Sequence, residues 1–173
     1  INKISMSQDM NVIGRNVLVN IIGYVDDVPA KIDTGADASS IWATNIHINE
    51  IGELTFTLFG KASPFYTGKV IKRKTYTAVK VRNSTGHEQI RYRTMVPVEI
   101  AERRIRVRFN LSDRSVNNYP ILIGRRTLSN KFIVDVTKYE HAAPIKETGK
   151  SITNELLKNP HEFHRKYHGN QSN

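Results

Sequence analysis

The chain has 173 residues, 39% of them apolar and 24% charged, with no cysteine and a formal charge of +10. That length supports one domain with a sizeable core, and two would be cramped. Disulfides, thiolate metal sites and cysteine nucleophiles are excluded, and no apolar run approaches the about 20 residues of a membrane helix.

Residues 12–22 are β-branched and apolar, broken at Gly14, and read as strand. A second strand follows Gly23 and runs to Ile32, with Asp26-Asp27 offering turn chemistry between the two. Pro29 argues for an edge or irregular position in it. Residues 54–59 alternate and stop at Gly60. Residues 75–82 and 88–100 flank Asn83-Ser84-Thr85-Gly86-His87, a hairpin signal with glycine at its tip. Residues 104–111 alternate strictly, and one short helix is predicted over 124–129. Many short strands at this spacing predict an all-β fold, a closed or nearly closed barrel.

From Lys138 the pattern changes. The segment is polar, holds four of the six His and has no strand period. It predicts either short helix between 152 and 168, interrupted near Pro160, or no order. The expected organisation is one domain over 1–137 and a tail over 138–173.

The charge is uneven. Between Lys61 and Arg93 there are nine Lys or Arg and one acid, Glu88, and Arg103, Arg104, Arg106 and Arg108 follow. Placed on strands, these charges leave one sheet face. They are either a solvated surface or a face for an acidic partner: nucleic acid, ribosome or a Glu-rich peptide. The absence of cysteine fits a reducing cytoplasm, the expected compartment, and no partner membrane is expected. No basic-then-apolar leader opens the chain, but its first residue is Ile, which leaves an upstream leader open.

The most informative stretch is Ala30-Lys31-Ile32-Asp33-Thr34-Gly35-Ala36-Asp37, followed by Ala38 and the hydroxyls of Ser39 and Ser40. An apolar strand runs into Asp-Thr-Gly. In isolation that tripeptide also makes an ordinary turn. A second segment, Tyr119-Pro120-Ile121-Leu122-Ile123-Gly124-Arg125, stands downstream, followed by residues 132–135. With both segments present, residues 12–136 resemble the retropepsin-like aspartic peptidases, in which an apolar-apolar-Gly segment packs under the Asp-Thr-Gly loop.

The resemblance extends to a bacterial branch, RimB-like, often catalogued as "ATP-dependent zinc protease". Its pattern is similar to Ala30–Ala36, to Ser84-Thr85-Gly86-His87-Glu88 and to Leu122-Ile123-Gly124-Arg125. The chain departs from the branch at Asp37, where Arg is common, and at Trp42, where His is common.

The resemblance implies a retropepsin-like barrel and an aspartic peptidase. Asp33 would be the catalytic carboxylate, with Thr34 and Gly35 shaping its loop. Ala36, Asp37 and Arg125 would border the substrate, Asp37 and Arg125 as a buried ion pair. Ser84, Thr85, Gly86 and His87 would form a flap over it; the bland reading is an ordinary hairpin. Two carboxylates are needed, close enough to share a proton, and the chain has one Asp-Thr-Gly. A homodimer follows.

Branch members are linked to trimming glutamate tails from a ribosomal protein, so an acidic peptide is one candidate substrate. The alternative is a non-catalytic module of the same fold, holding nucleic acid, ribosome or an acidic protein on its basic face.

No metal or cofactor is expected. His161 and His164 lie three apart, not the four of a zincin helix. His164 and His168 have the right spacing but lack a third ligand. Gly149-Lys150-Ser151 lacks the upstream glycine of a phosphate loop, since Pro144 stands there.

Overall fold

The computed structural model describes residues 10–82, 86–141 and 148–169. Contacts divide the chain into two units, 1–142 and 143–173.

The first unit is built from β1 (Asn11–Ile13), β2 (Asn16–Ile21), β3 (Val25–Asp33), β4 (Ser39–Ile48), β5 (Leu54–Leu58), β6 (Val70–Arg73), β7 (Thr77–Arg82), β8 (Glu88–Ile100), β9 (Arg103–Ser112), β10 (Ile121–Gly124), α1 (Arg125–Leu128) and β11 (Phe132–Val134). The sheet order is β10-β3-β2-β8-β9-β4-β5-β6, and β10 also pairs with β4. That last pairing returns the sheet to its start, so β10, β3, β2, β8, β9 and β4 form a closed barrel. Closure removes the open edges that an unrolled sheet would leave. The all-β barrel expected from sequence is the fold.

The core follows the strand period. Val17, Val19 and Ile21 of β2, Val96, Val98 and Ile100 of β8, and Val107, Phe109 and Leu111 of β9 are buried, each set at alternate positions facing inward. Phe56 and Phe59 fill the end of the barrel near β5. Trp42 packs edge-on against Phe59, ring centroids 6.4 Å apart.

The long apolar run at the start of the chain is two strands rather than one. A Cβ on Gly14 would sit on the Lys138 carbonyl, so the chain passes close to residue 138 and changes partner. β1 runs parallel to β11 outside the barrel, while β2 enters it. The turn before β3 uses Gly23 at φ +84° rather than Asp26-Asp27. Pro29 pairs with Leu18 of β2, and the β10 pairing starts only at Ala30. Pro29 thus has a strand on one side only, where its missing N–H leaves no gap in a ladder.

Residues 138–141 hold to β2. The Arg15 N–H donates to the Lys138 carbonyl at 2.9 Å, and the Glu140 and His141 N–H groups donate to Asn16 Oδ1 at 2.9 Å each.

The second unit is a helix pair, α2 (Thr148–Lys158) and α3 (Pro160–His168). Asn159 separates them: its side chain accepts from the Glu162 N–H and donates to the Glu162 carboxylate, and Pro160 opens α3. This is a reciprocal cap, with proline where its missing N–H costs nothing. Among the described residues no helix is long and apolar enough to cross a membrane.

Candidate active site

Strand β3 carries Asp33 to the barrel's end. Ala30 and Ile32 point into the core, which leaves Lys31 and Asp33 on the outer side. The chain then turns sharply. Asp33 Oδ1 accepts from the Gly35 N–H at 3.2 Å and the Ala36 N–H at 3.1 Å. The carboxylate thereby closes its own turn. Oδ2 lies 3.4 Å from Lys31 Nζ, and the side chain keeps 27% of its surface exposed. One oxygen is therefore held by the loop, and the other is available beside a cation.

The loop is held from beneath by β10. That strand runs parallel to β3 with Gly124 opposite Asp33. The Arg125 N–H donates to the Ala36 carbonyl at 2.8 Å. A Cβ on Gly124 would lie 2.6 Å from the Ala38 carbonyl and 2.9 Å from the Ala36 oxygen. Only glycine permits this approach.

The Gly124 N–H donates to Ser39 Oγ at 3.0 Å, and Ser39 Oγ shares a 2.7 Å hydrogen bond with Thr127 Oγ1. Ser39 is buried, so this hydroxyl satisfies a backbone donor that water does not reach. Ser39 and Thr127 were not singled out from sequence. The hydroxyls after Asp-Thr-Gly were the available signal, but which one meets Gly124 depends on strand register.

Thr34 is exposed, as is Gly35. Among the described residues the Thr34 hydroxyl makes no hydrogen bond, and the support beneath the loop comes from Ser39 and Gly124. Asp37 does pair with Arg125, Nε to Oδ1 at 3.3 Å, but its shorter contact is Arg126, at 2.6 Å to Oδ2. The pair is not buried: Asp37 is 45% exposed and the two arginines 60% and 69%. The reason is that α1 is a single turn on the barrel surface and covers neither partner.

Ala36 is half-buried in the same loop. The structure thus gathers residues 33–37 and Arg125 at one end of the barrel.

The expected flap hairpin is β7–β8, paired from Thr77↔Arg93 to Arg82↔Glu88. Ser84 and Thr85 lie outside the described residues. Gly86, at φ +84°, and His87 are exposed beside them.

Arg114 was also missed. It follows β9, is half-buried, and donates from Nε to the Tyr119 carbonyl at 3.1 Å. Burial lowers its pKa from the ordinary arginine value; Arg91 adds to that and Asp33 opposes it. It remains a cation, within the electrostatic reach of both Asp33 and the hairpin.

His164 and His168 stack at 5.2 Å. Among the described residues no three His, Asp or Glu side chains gather to hold a metal.

The model of the RimB-like family, "Retropepsin-like aspartic endopeptidase RimB", matches residues 12–144. The chain belongs to this family. The match contains β2 to β11, all of β1 but Asn11, and both segments of the site. A "Probable alpha-L-glutamate ligase" of Shewanella pealeana is 30% identical over 117 residues, 64% of this chain and 25% of that protein. A protein of the same description from Desulfotalea psychrophila is 24% identical over 118 residues, 62% of this chain and 24% of that protein. The chain thus spans about a quarter of the length of these curated relatives. The crystal structure of Legionella pneumophila Lpg0085, of unknown function, superposes with a TM-score of 0.59 at 22% identity, covering 74% of this chain and 95% of that one. That likeness concerns the fold alone.

Proposed function

We propose that the protein is an aspartic endopeptidase that works as a homodimer, each subunit contributing Asp33, and that it acts on acidic, Glu-rich peptides. The observation that carries this reading is the Asp33 loop. It is clamped from below by Gly124 and Ser39, while its carboxylate and Thr34-Gly35 stay open to the outside. A single carboxylate beside a lysine has no partner with which to share a proton. Two copies related by a two-fold axis would supply one.

In that dyad the two Asp33 groups hold one proton between them. The ionised member takes a proton from water as the water oxygen bonds to the peptide carbonyl carbon. The protonated member gives its proton to the carbonyl oxygen. The tetrahedral diol then collapses: the C–N bond breaks, a proton passes to the departing nitrogen, and the dyad is restored. Bonds and protons balance with no covalent intermediate.

Two features support an acidic substrate. The relatives' shared description names glutamate, and the arginines of β8 and β9 leave a basic outer face. A cytoplasmic location fits the cysteine-free composition. The second reading, a monomeric binding module on the same basic face, is favoured by the lone carboxylate of a single chain.

Asp33→Asn separates the two. It preserves shape and should leave thermal unfolding nearly unchanged while cleavage of a Glu-rich peptide library falls at least about 1,000-fold. Wild-type specific activity should rise with protein concentration through the dimer dissociation constant, and excess Asp33→Asn chain should poison it. Equal cleavage by the variant, measured by mass spectrometry, would remove the aspartic mechanism.

A further inference from the structure

Beside the catalytic-type loop lies a second concavity, a pocket of about 240 Å³ that the sequence did not announce. Ala38 and Ser39 form one wall, continuing directly from residues 33–37. Five cations line it: Arg93, Arg106, Arg108, Arg126 and Lys131, with no Asp or Glu among the lining residues.

The strand pairing explains the crowding. Arg93 lies opposite Asn110, and Met95 opposite Arg108, on the antiparallel β8–β9 pair. Alternate positions project to the same face, so Arg106 and Arg108 leave the barrel side by side.

The five differ in what they already hold. Arg93 Nε donates to Asn110 Oδ1 at 2.7 Å, and Arg126 contacts Asp37 at 2.6 Å. Lys131 Nζ donates to the Ser129 carbonyl at 3.3 Å. Among the described residues, the side chains of Arg106 and Arg108 make no hydrogen bond or ion pair. The neighbouring Arg104 shows the contrast, since it pairs with Glu99 at 3.0 Å. Like charges gathered on one sheet face repel, and an anion from outside would relieve that repulsion.

The pocket's chemistry narrows the anion. No aromatic side chain lines it, so a nucleobase would find guanidinium planes but no ring to stack on. Met95, opposite Arg108 on the outer face, contributes an apolar side chain between the cations, whereas Ile105 and Val107 turn theirs to the core. A pocket of this size takes one side chain. A short aliphatic stem ending in an oxyanion matches both parts: methylenes against Met95 and the aliphatic stems of the flanking arginines, and carboxylate oxygens against paired guanidinium groups.

We infer that this pocket, centred on Arg106 and Arg108, is a subsite for the side-chain carboxylate of a glutamate in the bound peptide. The inference rests on the peptidase reading for the role of the peptide as substrate. The pocket gives that reading an address for the acidic residue. Arg126 links the two places, because it reaches the pocket lining and Asp37 of the loop at once.

The test uses the full chain. Fluorescein-labelled hexaglutamate, hexaglutamine and a heptamer of oligo(A) RNA serve as probes, with anisotropy read on the Asp33→Asn protein so that nothing is cleaved. Arg106→Gln with Arg108→Gln should weaken hexaglutamate binding about tenfold or more. Lys72→Gln with Lys74→Gln removes equal charge outside the pocket and should change it less than about threefold. Hexaglutamine should bind weakly to every form.

Equal losses in the two double variants, or none in either, would mean a diffuse basic surface and overturn the pocket. So would RNA that binds more tightly than hexaglutamate and loses its binding with Arg106 and Arg108. Circular dichroism melting checks that each variant is folded; if Arg106→Gln with Arg108→Gln melts early, Arg108→Lys and Arg106→Lys replace it and should retain most of the affinity.

Wild-type cleavage of Glu-to-Gln peptide series is measured in parallel. Pocket-dependent binding without cleavage would sink the peptidase reading and leave the anion subsite. Cleavage whose Glu preference survives the loss of both arginines would sink the subsite and leave the peptidase.

Discussion

The Asp33 loop and the β7–β8 hairpin are held in opposite ways. The loop is fixed by buried contacts from distant strands: Gly124 against the Ala38 backbone, and Ser39 between Gly124 and Thr127. The hairpin is fixed by its own ladder and by exposed ion pairs, Lys80 and Arg82 to Glu88 at 2.9 Å each. Among the described residues, strand β7 pairs with β8 alone and has no buried residue. Interactions that water does not reach are costly to break, whereas exposed ion pairs exchange readily with solvent. The proposed peptidase would use both properties: fixed geometry where charge must be placed, and a cover that opens cheaply.

Substitutions can break or sharpen that contrast. The largest effect is expected from Gly124→Ala. Its Cβ meets backbone at 2.6 Å, and backbone cannot step aside as a side chain can. We expect a loss of about 3 kcal/mol in urea unfolding, with the Asp33 loop displaced and activity abolished. A variant as stable as wild type would show that the loop is not clamped.

Ser39→Ala comes next. It strands the buried Gly124 N–H and should cost about 1–3 kcal/mol. Ser39→Thr, if its methyl is tolerated, should recover part of this. Equal stability of Ser39→Ala and wild type would place the support elsewhere.

The Asp37 pair should matter far less. A double-mutant cycle on Asp37→Ala and Arg126→Ala should give under about 1 kcal/mol of coupling, because both side chains are largely exposed. Coupling of about 3–5 kcal/mol would instead mark a buried pair, which in this chain would require cover from a second subunit.

The smallest effect belongs to the hairpin. Glu88 is held below the ordinary glutamate range by its bonds to Lys80 and then Arg82. Its folded pKa is depressed, so its contribution is present above the unfolded carboxylate value and fades as pH falls through the folded one. Glu88→Gln should leave the melting midpoint within experimental error at neutral pH. A carboxylate titration followed by NMR should place Glu88 below the ordinary glutamates; an ordinary midpoint would remove the ion pairs from the hairpin's description.

What was legible in the sequence divides along the same line. The hairpin announced itself through period-two alternation around Asn83–His87, a purely local signal. Asp-Thr-Gly and Leu-Ile-Gly-Arg were legible because each is a contiguous run, and at Gly124 the backbone's need for glycine is written in the sequence. The support between them was not. Whether Ser39 or Ser40 faces Gly124 depends on β4 lying antiparallel to β10, with Ser40 opposite Leu122.

Arg125 came from the resemblance at Leu122–Arg125, and Arg126, which makes the shorter contact to Asp37, stands one residue beyond that motif. The basic pocket was hidden for another reason. Its arginines looked like a charge run, and only the β8–β9 register shows that Arg106 and Arg108 stand unpartnered while Arg104 does not. The break at Gly14 was legible, but that β1 leaves the barrel there to pair with β11 required knowing that residue 138 passes beside it.

The wedge of β10 between β3 and β4 has a consequence in time. The hydrogen bond from Gly124 to Ser39 joins positions 85 apart in the chain, and the barrel closes only when β10 inserts. Long-range closure of this kind comes late in folding. During synthesis, the Asp33 segment emerges well before the strand that shapes it. A nascent or truncated chain ending before Gly124 therefore carries the carboxylate but not its cradle. The last barrel strand acts as a built-in delay: the Asp33 loop takes its shape only when nearly all of the domain has been made.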